Sequence, residues 1–220
     1  MKRKIAKAAC RMGLVFSILF AGSTQSIVRA ELNGPFSTGF NLNVPIAVGD
    51  TSNVLKNGFG FGLDLGYRKE TSPLGVRLDM IYDSFGLTSD VLNQIRRADS
   101  GWASTWGFDL SAVLAPPNAK KVRPYLQFGP GFYYEHAEAN NFSGSGGTYC
   151  DPWFGCYYIG SNQTVEDWST WRLGWMGGAG LNVEFDGGGA FFMQAQYHEI
   201  NNANAKTEFV PISAGYRHSF

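Results

Sequence analysis

The chain has 220 residues, with 18 Lys and Arg balanced by 18 Asp and Glu, a length that suits one domain. Only 16% of residues are charged, while 15% are aromatic and 28 are glycine. Mean hydropathy is slightly negative, which excludes a bundle of apolar membrane helices and favours many strands joined by turns.

The charges are unevenly placed. Lys2, Arg3, Lys4, Lys7 and Arg11 form a basic start, Met12 to Ala21 is a short apolar run, and Val28-Arg29-Ala30 offers a small-residue cleavage site. Together they read as a signal peptide over residues 1–30; the apolar run falls short of the roughly 20 residues a membrane helix needs. The remainder, 31–220, keeps 12 basic and 18 acidic residues, a net charge of −6. That balance disfavours nucleic acid as a partner, because phosphate backbones select basic faces. Cys10 precedes the apolar run and makes no convincing lipoprotein cysteine. Cys150 and Cys156 remain, an even number in an oxidising compartment.

After Ala30, apolar residues alternate with small or polar ones, the period of a strand with two unlike faces. A first strand is expected near Phe36 to Val48, with Phe36, Phe40, Leu42, Val44, Ile46 and Val48 on one face. A second runs from Leu55 to Tyr67 against Gly60, Gly62, Asp64 and Gly66, and a third from Leu74 to Asp83 against Arg77 and Asp79. The fourth, Trp102 to Leu114, hides Thr105, Gly107, Asp109 and Ser111. The fifth, Val122 to Glu135, hides Tyr125, Gln127, Gly129, Gly131 and Glu135. The sixth covers Trp171 to Val183, the seventh Phe191 to His198 and the eighth Val210 to Phe220, with Arg172, Gln194, Gln196 and Arg217 on their polar faces.

Eight such strands have the length a tilted strand needs to cross lipid. Alternation does not say which face turns inward, but three features do. Trp102, Trp106, Trp171 and Trp175 sit near strand ends, where an interfacial girdle belongs. Short connections (Arg68–Pro73, Ala115–Lys121, Glu184–Gly189) alternate with longer ones, the longest being Thr88–Ser100 and Glu138–Glu166. The chain ends on Phe220, with Tyr216 and Ile212 on the same face. The expected fold is all-β: a closed antiparallel transmembrane β-barrel of about eight strands with its apolar face to lipid.

The ending Phe209-Val-Pro-Ile-Ser-Ala-Gly-Tyr-Arg-His-Ser-Phe220 resembles the terminal strand of outer-membrane barrels, and Arg123-Pro-Tyr-Leu-Gln-Phe-Gly-Pro-Gly-Phe-Tyr133 resembles a strand of the small outer-membrane β-barrel superfamily that includes outer membrane protein A-like barrel domains. The resemblance implies a bacterial outer-membrane location. It also implies that Tyr216 and Phe220 serve as a C-terminal signal for the barrel assembly machinery. It implies no activity, and no peptidoglycan-binding domain is expected after the barrel, so the anchoring role of longer relatives is not implied.

Candidate sites are few. Cys150-Asp-Pro-Trp-Phe-Gly-Cys156 lies in the longest connection and reads as a disulfide; with no His nearby, two sulfurs make a poor metal site. Tyr149, Trp153, Phe154, Tyr157 and Tyr158 surround it; loop 138–166 either binds a surface ligand or packs on itself and the lipid interface. The lumen residues Asp64, Arg77, Asp79, Asp109, Glu135, Arg172 and Arg217 are expected to pair into a plug, because a barrel of this size has bore only for side chains. His198-Glu-Ile-Asn-Asn-Ala-Asn204 resembles a stretch near the end of lipid A deacylases, but Ile200 stands where the Ser nucleophile would be. The glycine-rich stretches Gly60-Phe-Gly62 and Gly174 to Gly180 precede no helix, so no phosphate loop and no cofactor is expected.

These observations favour a non-catalytic barrel presenting exterior loops, for envelope integrity, adhesion or surface interaction. The alternatives are a lipid-modifying enzyme of deacylase type and a narrow pore. One further feature bears on the enzyme. Counted along strands that start level at Phe36 and end at Phe220, Pro45 and Pro211 fall opposite each other near the exterior end. Either they weaken the wall and admit a lipid chain sideways, or they lie just past the last paired residue.

Overall fold

The computed structural model describes residues 34–220 except 70, 95–97, 118–120, 152–154, 186 and 203–205; within 141–166 it describes backbone alone. The expected signal peptide lies outside the described residues. Eight strands close into one antiparallel barrel in sequence order: β1 Phe36–Ala47, β2 Phe59–Tyr67, β3 Leu74–Gly86, β4 Ser100–Leu114, β5 Val122–Asp151, β6 Gly155–Glu184, β7 Gly189–Asn201 and β8 Lys206–Ser219.

The alternation settles into two faces. Leu173, Met193 and Phe128 stand outward at 68%, 64% and 62% exposure, values that make sense only if lipid covers them. Leu78 and Leu110 are likewise exposed, and Leu63 is half-buried. The opposite face is closed off, with Asp64, Asp79, Asp109 and Gln196 all buried. Aromatic contacts mark both boundaries. Phe61, Tyr82 and Trp106 cluster toward the exterior end, as do Phe128, Trp175 and Tyr197. At the other end Phe36 meets both Tyr67 and Phe220, and Phe191 meets Tyr216. These are the two interfacial girdles.

Both ends of the barrel chain lie at the short-turn side, where the Phe220 N–H donates to the Phe36 carbonyl (2.9 Å). The tightest of those turns takes Gly187 and Gly188 at φ 96° and 80°, a left-handed backbone that glycine alone adopts without strain. On the exterior side the first connection folds as a 3-10 turn, Gly49–Asn53. Its Thr51 hydroxyl accepts from the Glu208 N–H at 2.8 Å and ties the turn to β8. The next carries a one-and-a-half-turn helix, α1 Ser89–Gln94.

Three expectations need correction. β2 begins at Phe59, not Leu55, which makes only an isolated bridge to Leu87. Residues 138–151 and 155–166 are strand rather than loop. β5 and β6 run 30 residues each and stay paired out to Asp151↔Gly155. Their Gly, Ser and Asn content reads as turn, yet two adjoining antiparallel segments satisfy each other's backbone groups whatever their side chains.

The third concerns the prolines. Pro45 and Pro211 are directly opposite, but pairing continues through Ile46↔Val210 and Ala47↔Phe209, and the Val48 N–H donates to Glu208 (3.1 Å). The wall has no gap there, and the prolines do not lie beyond the last paired residue. The reason is ladder geometry. Pro45's carbonyl accepts from the Gly58 N–H (3.0 Å) on the β2 side. In an antiparallel ladder a residue's nitrogen and carbonyl face the same neighbour, so the missing N–H faces β2 and costs the seam nothing. Pro211, opposite it, turns its nitrogen to β7, where the ladder skips two pairs between Ala195↔Ile212 and His198↔Phe209 while the register is kept.

Candidate functional site

The lumen is filled in two layers. The first lies toward the short-turn end and is charged. Arg217 on β8 donates through Nε to Asp64 Oδ1 (2.8 Å) and through Nη1 to Asn182 (3.0 Å). Arg77 on β3 donates through Nε to Asp79 Oδ2 (3.0 Å) and through Nη2 to Gln194 Oε1 (3.3 Å). The Tyr125 hydroxyl donates to that same Gln194 oxygen (2.7 Å). Its ring lies near both guanidiniums, 5.3 Å from Arg77 and 5.8 Å from Arg217. The two ion pairs thus share one aromatic partner, and each removes a charge that the low-dielectric interior would otherwise leave uncompensated.

The second layer, toward the exterior, is apolar. Ile81, Phe85, Tyr133, Ile200 and Phe209 pack together, none more than 4% exposed. Tyr133 fits because three strands leave room for it: a Cβ added at Gly107, Gly131 or Gly174 would come within about 3 Å of its ring or hydroxyl. The Tyr133 hydroxyl donates to Asp109 and lies 3.0 Å from His198 Nδ1. His198 is fully buried and stacks flat on Phe209, their planes 4° apart. Asp109 is thereby joined to a phenol and an imidazole rather than to an arginine.

Glu135 is buried near the exterior rim, hydrogen-bonded to Thr207 and Asn202 and facing Arg172. Here an expectation fails. Arg172 forms no ion pair within 4.0 Å among the described residues, and its Nε lacks a partner. It lies on the inner face of β6 opposite Tyr133 of β5. Tyr216 and Phe220 are exposed on the outer face at the short-turn end.

Sequence reasoning placed Tyr125 and Gln194 on the inner face, but not in these roles. Phe85, Tyr133, Ile200 and Phe209 were missed as an inner apolar cluster. The signal was present in the two-residue step from His198 to Ile200 and from Tyr133 to Glu135.

His198 bears on the deacylase resemblance. Its hydroxyl neighbour is the Tyr133 phenol, inside the lumen rather than at the lipid boundary. Among the described residues no group of three His, Cys, Asp or Glu side chains is arranged to hold a metal ion.

The fold has solved counterparts. Neisserial surface protein A superposes with a TM-score of 0.53 at 17% identity, covering 85% of this chain and 98% of that one. Ail of Yersinia pestis gives 0.45 at 19% identity, covering 86% and 99%. OprG of Pseudomonas aeruginosa gives 0.48 at 13% identity, covering 88% and 99%. No curated protein matches the chain. The family model "Outer membrane protein beta-barrel domain" matches residues 12–217. With the outward apolar wall and the filled lumen, that match places the protein in the bacterial outer membrane, its wall in lipid, as a member of the outer-membrane protein β-barrel family.

Proposed function

We propose that this protein is a non-catalytic barrel whose working part is the β5–β6 arm, held out from the cell surface for an extracellular partner. The observation that carries this is strand length. β5 and β6 have 30 residues each, whereas a tilted strand crosses lipid in about 9–11. From Asn141 to Asp151 the arm extends past the last residue of β5 that pairs with β4, roughly 37 Å at about 3.4 Å per residue.

A two-stranded ribbon is marginal by itself in water. Cys150 and Cys156 stand opposite each other in its register. Opposed residues of an antiparallel pair lie about 4.5–5.5 Å apart at Cα, inside the disulfide range of roughly 4.4–6.8 Å. Their side chains lie outside the described residues, as do those of Tyr149, Tyr157 and Tyr158, while Trp153 and Phe154 are not described at all. A bond between the two cysteines would pin the tip and its aromatics as one surface. Export by residues 1–30 and recognition of Tyr216 and Phe220 by the assembly machinery complete the reading.

The apolar packing of Phe85, Ile200 and Phe209 in the outer lumen weighs against the pore. The lumenal setting of His198, with a phenol as its hydroxyl partner, weighs against the deacylase. The test is to replace residues 141–164 with a short Gly-Ser turn and compare bacteria displaying either form for attachment to host cells or extracellular polymers. Loss of attachment with a folded barrel supports the proposal; equal attachment overturns it.

A further inference from the structure

At the short-turn end, which faces the periplasm, the barrel opens into a cavity of about 440 Å³. This lies within the span of small-molecule sites, roughly 300–1,000 Å³. Arginines dominate its polar wall: Arg68, Arg77, Arg123 and Arg217, with Glu184 the carboxylate beside them. Arg77 and Arg217 are balanced by Asp79 and Asp64 from the charged layer behind, and Arg123 by Glu184 at 2.9 Å. Arg68 has no ion pair among the described residues.

The pairings leave donors over. Arg68 Nη1, Arg123 Nε and Arg217 Nη2 are all buried and lack a hydrogen-bond partner. Arg217 itself is only 7% exposed, and its guanidinium is fixed over the Phe192 ring at 4.3 Å. Arg68 is fixed as well. Its N–H donates to the Pro35 carbonyl (2.7 Å), and its stem lies over Gly75, where an added Cβ would come within 2.8 Å of Arg68 Cβ. Arg68, Arg123 and Arg217 thus line one recess with guanidinium N–H groups left over, and among its described residues one positive charge is uncancelled.

We infer that this recess is a binding site for a small phosphate-class oxyanion, held by Arg68, Arg123 and Arg217. A tetrahedral oxyanion supplies several acceptors at once, and guanidinium forks match them better than any other side chain. The charge it brings answers Arg68. The same chemistry has two sources: a water-borne phosphate or phosphate ester of the periplasm, and the headgroup of an inner-leaflet phospholipid. The site opens along the barrel axis and its deep wall consists of the inward-facing Arg77, Tyr125 and Arg217, which favours the water-borne anion.

The experiment is titration of the folded full-length protein, in a detergent free of phosphate, with inorganic phosphate followed by calorimetry and phosphorus NMR. Saturable binding is expected, weakened at least tenfold in Arg68→Gln and in Arg123→Gln and less in Arg68→Lys, which keeps the charge but loses the fork. Heat-modifiable mobility on unboiled gels verifies the fold of each variant, and Arg68, outside any strand, carries the test if Arg123→Gln does not fold. Competition by phosphatidylglycerol vesicles would reassign the source to the lipid headgroup and overturn the water-borne anion, and its absence supports it. No saturable phosphate binding, or wild-type affinity in Arg68→Gln, overturns the site.

Discussion

Asp64 and Arg217 sit on strands that are not neighbours, and they meet over Gly39. Gly39 on β1 is paired with Asp64 on one side and with Arg217 on the other. A Cβ at Gly39 would lie 2.2 Å from Asp64 Oδ2, so the bridge crosses β1 only because that residue has no side chain. A glycine in a strand normally weakens it; here it makes room for an ion pair that ties β2 to β8 across the closing strand.

Breaking that pair from one side should cost far more than removing it whole. Asp64→Leu leaves a buried guanidinium uncompensated and should destabilise the barrel by about 3–5 kcal/mol. Adding Arg217→Met should recover most of the loss. Urea unfolding in lipid vesicles, followed by tryptophan fluorescence as a double-mutant cycle, measures both. Equal stability of the single and double variants would show that the bridge does not couple the strands. Gly39→Leu should resemble Asp64→Leu.

The seam should hold against hydrogen exchange. Because Pro45 and Pro211 turn their nitrogens away from each other, the amides of Ile46 and Val48 should exchange as slowly as those of mid-barrel strands. NMR on deuterated protein in nanodiscs reads this directly. Rapid exchange at Val48, whose N–H donates to Glu208, would mean an open wall.

The outer lumen should not conduct. In planar bilayers the wild-type protein should give no steady current, because Phe85, Ile200 and Phe209 fill the bore. Phe209→Ala removes the ring on which His198 stacks and should cost about 3–5 kcal/mol by large-to-small truncation. A persistent wild-type conductance would contradict the apolar seal.

The arm tip should be sensitive to reduction. If Cys150 and Cys156 are joined, thiol labelling of the non-reduced mature chain should find neither. The Cys150→Ser variant should be cleaved by proteases within the arm sooner than wild type, consistent with about 2–3 kcal/mol from closing so short a loop. Labelling of both cysteines in the untreated protein would refute the bond.

The sequence by itself determined the number of strands, which face meets lipid, the location and even the opposition of Pro45 to Pro211. The strand count and the opposition of the prolines depend on a period of two and on counting along antiparallel neighbours, both local properties of the chain; the lipid face rests on the tryptophans at strand ends, the loop asymmetry and the aromatic terminus, and the location on the resemblance of the terminal strand. It did not determine that residues 138–151 and 155–166 are strand, because glycine and serine there satisfy turn statistics as well as a ladder. Only the tertiary structure decided how the inner face divides. Asp64 reaches Arg217 over β1, Tyr133 meets His198, and among the described residues Arg172 forms no ion pair within 4.0 Å. Such contacts depend on strand tilt and stagger around the closed barrel, which set the height of each side chain and which no periodicity within a single strand encodes.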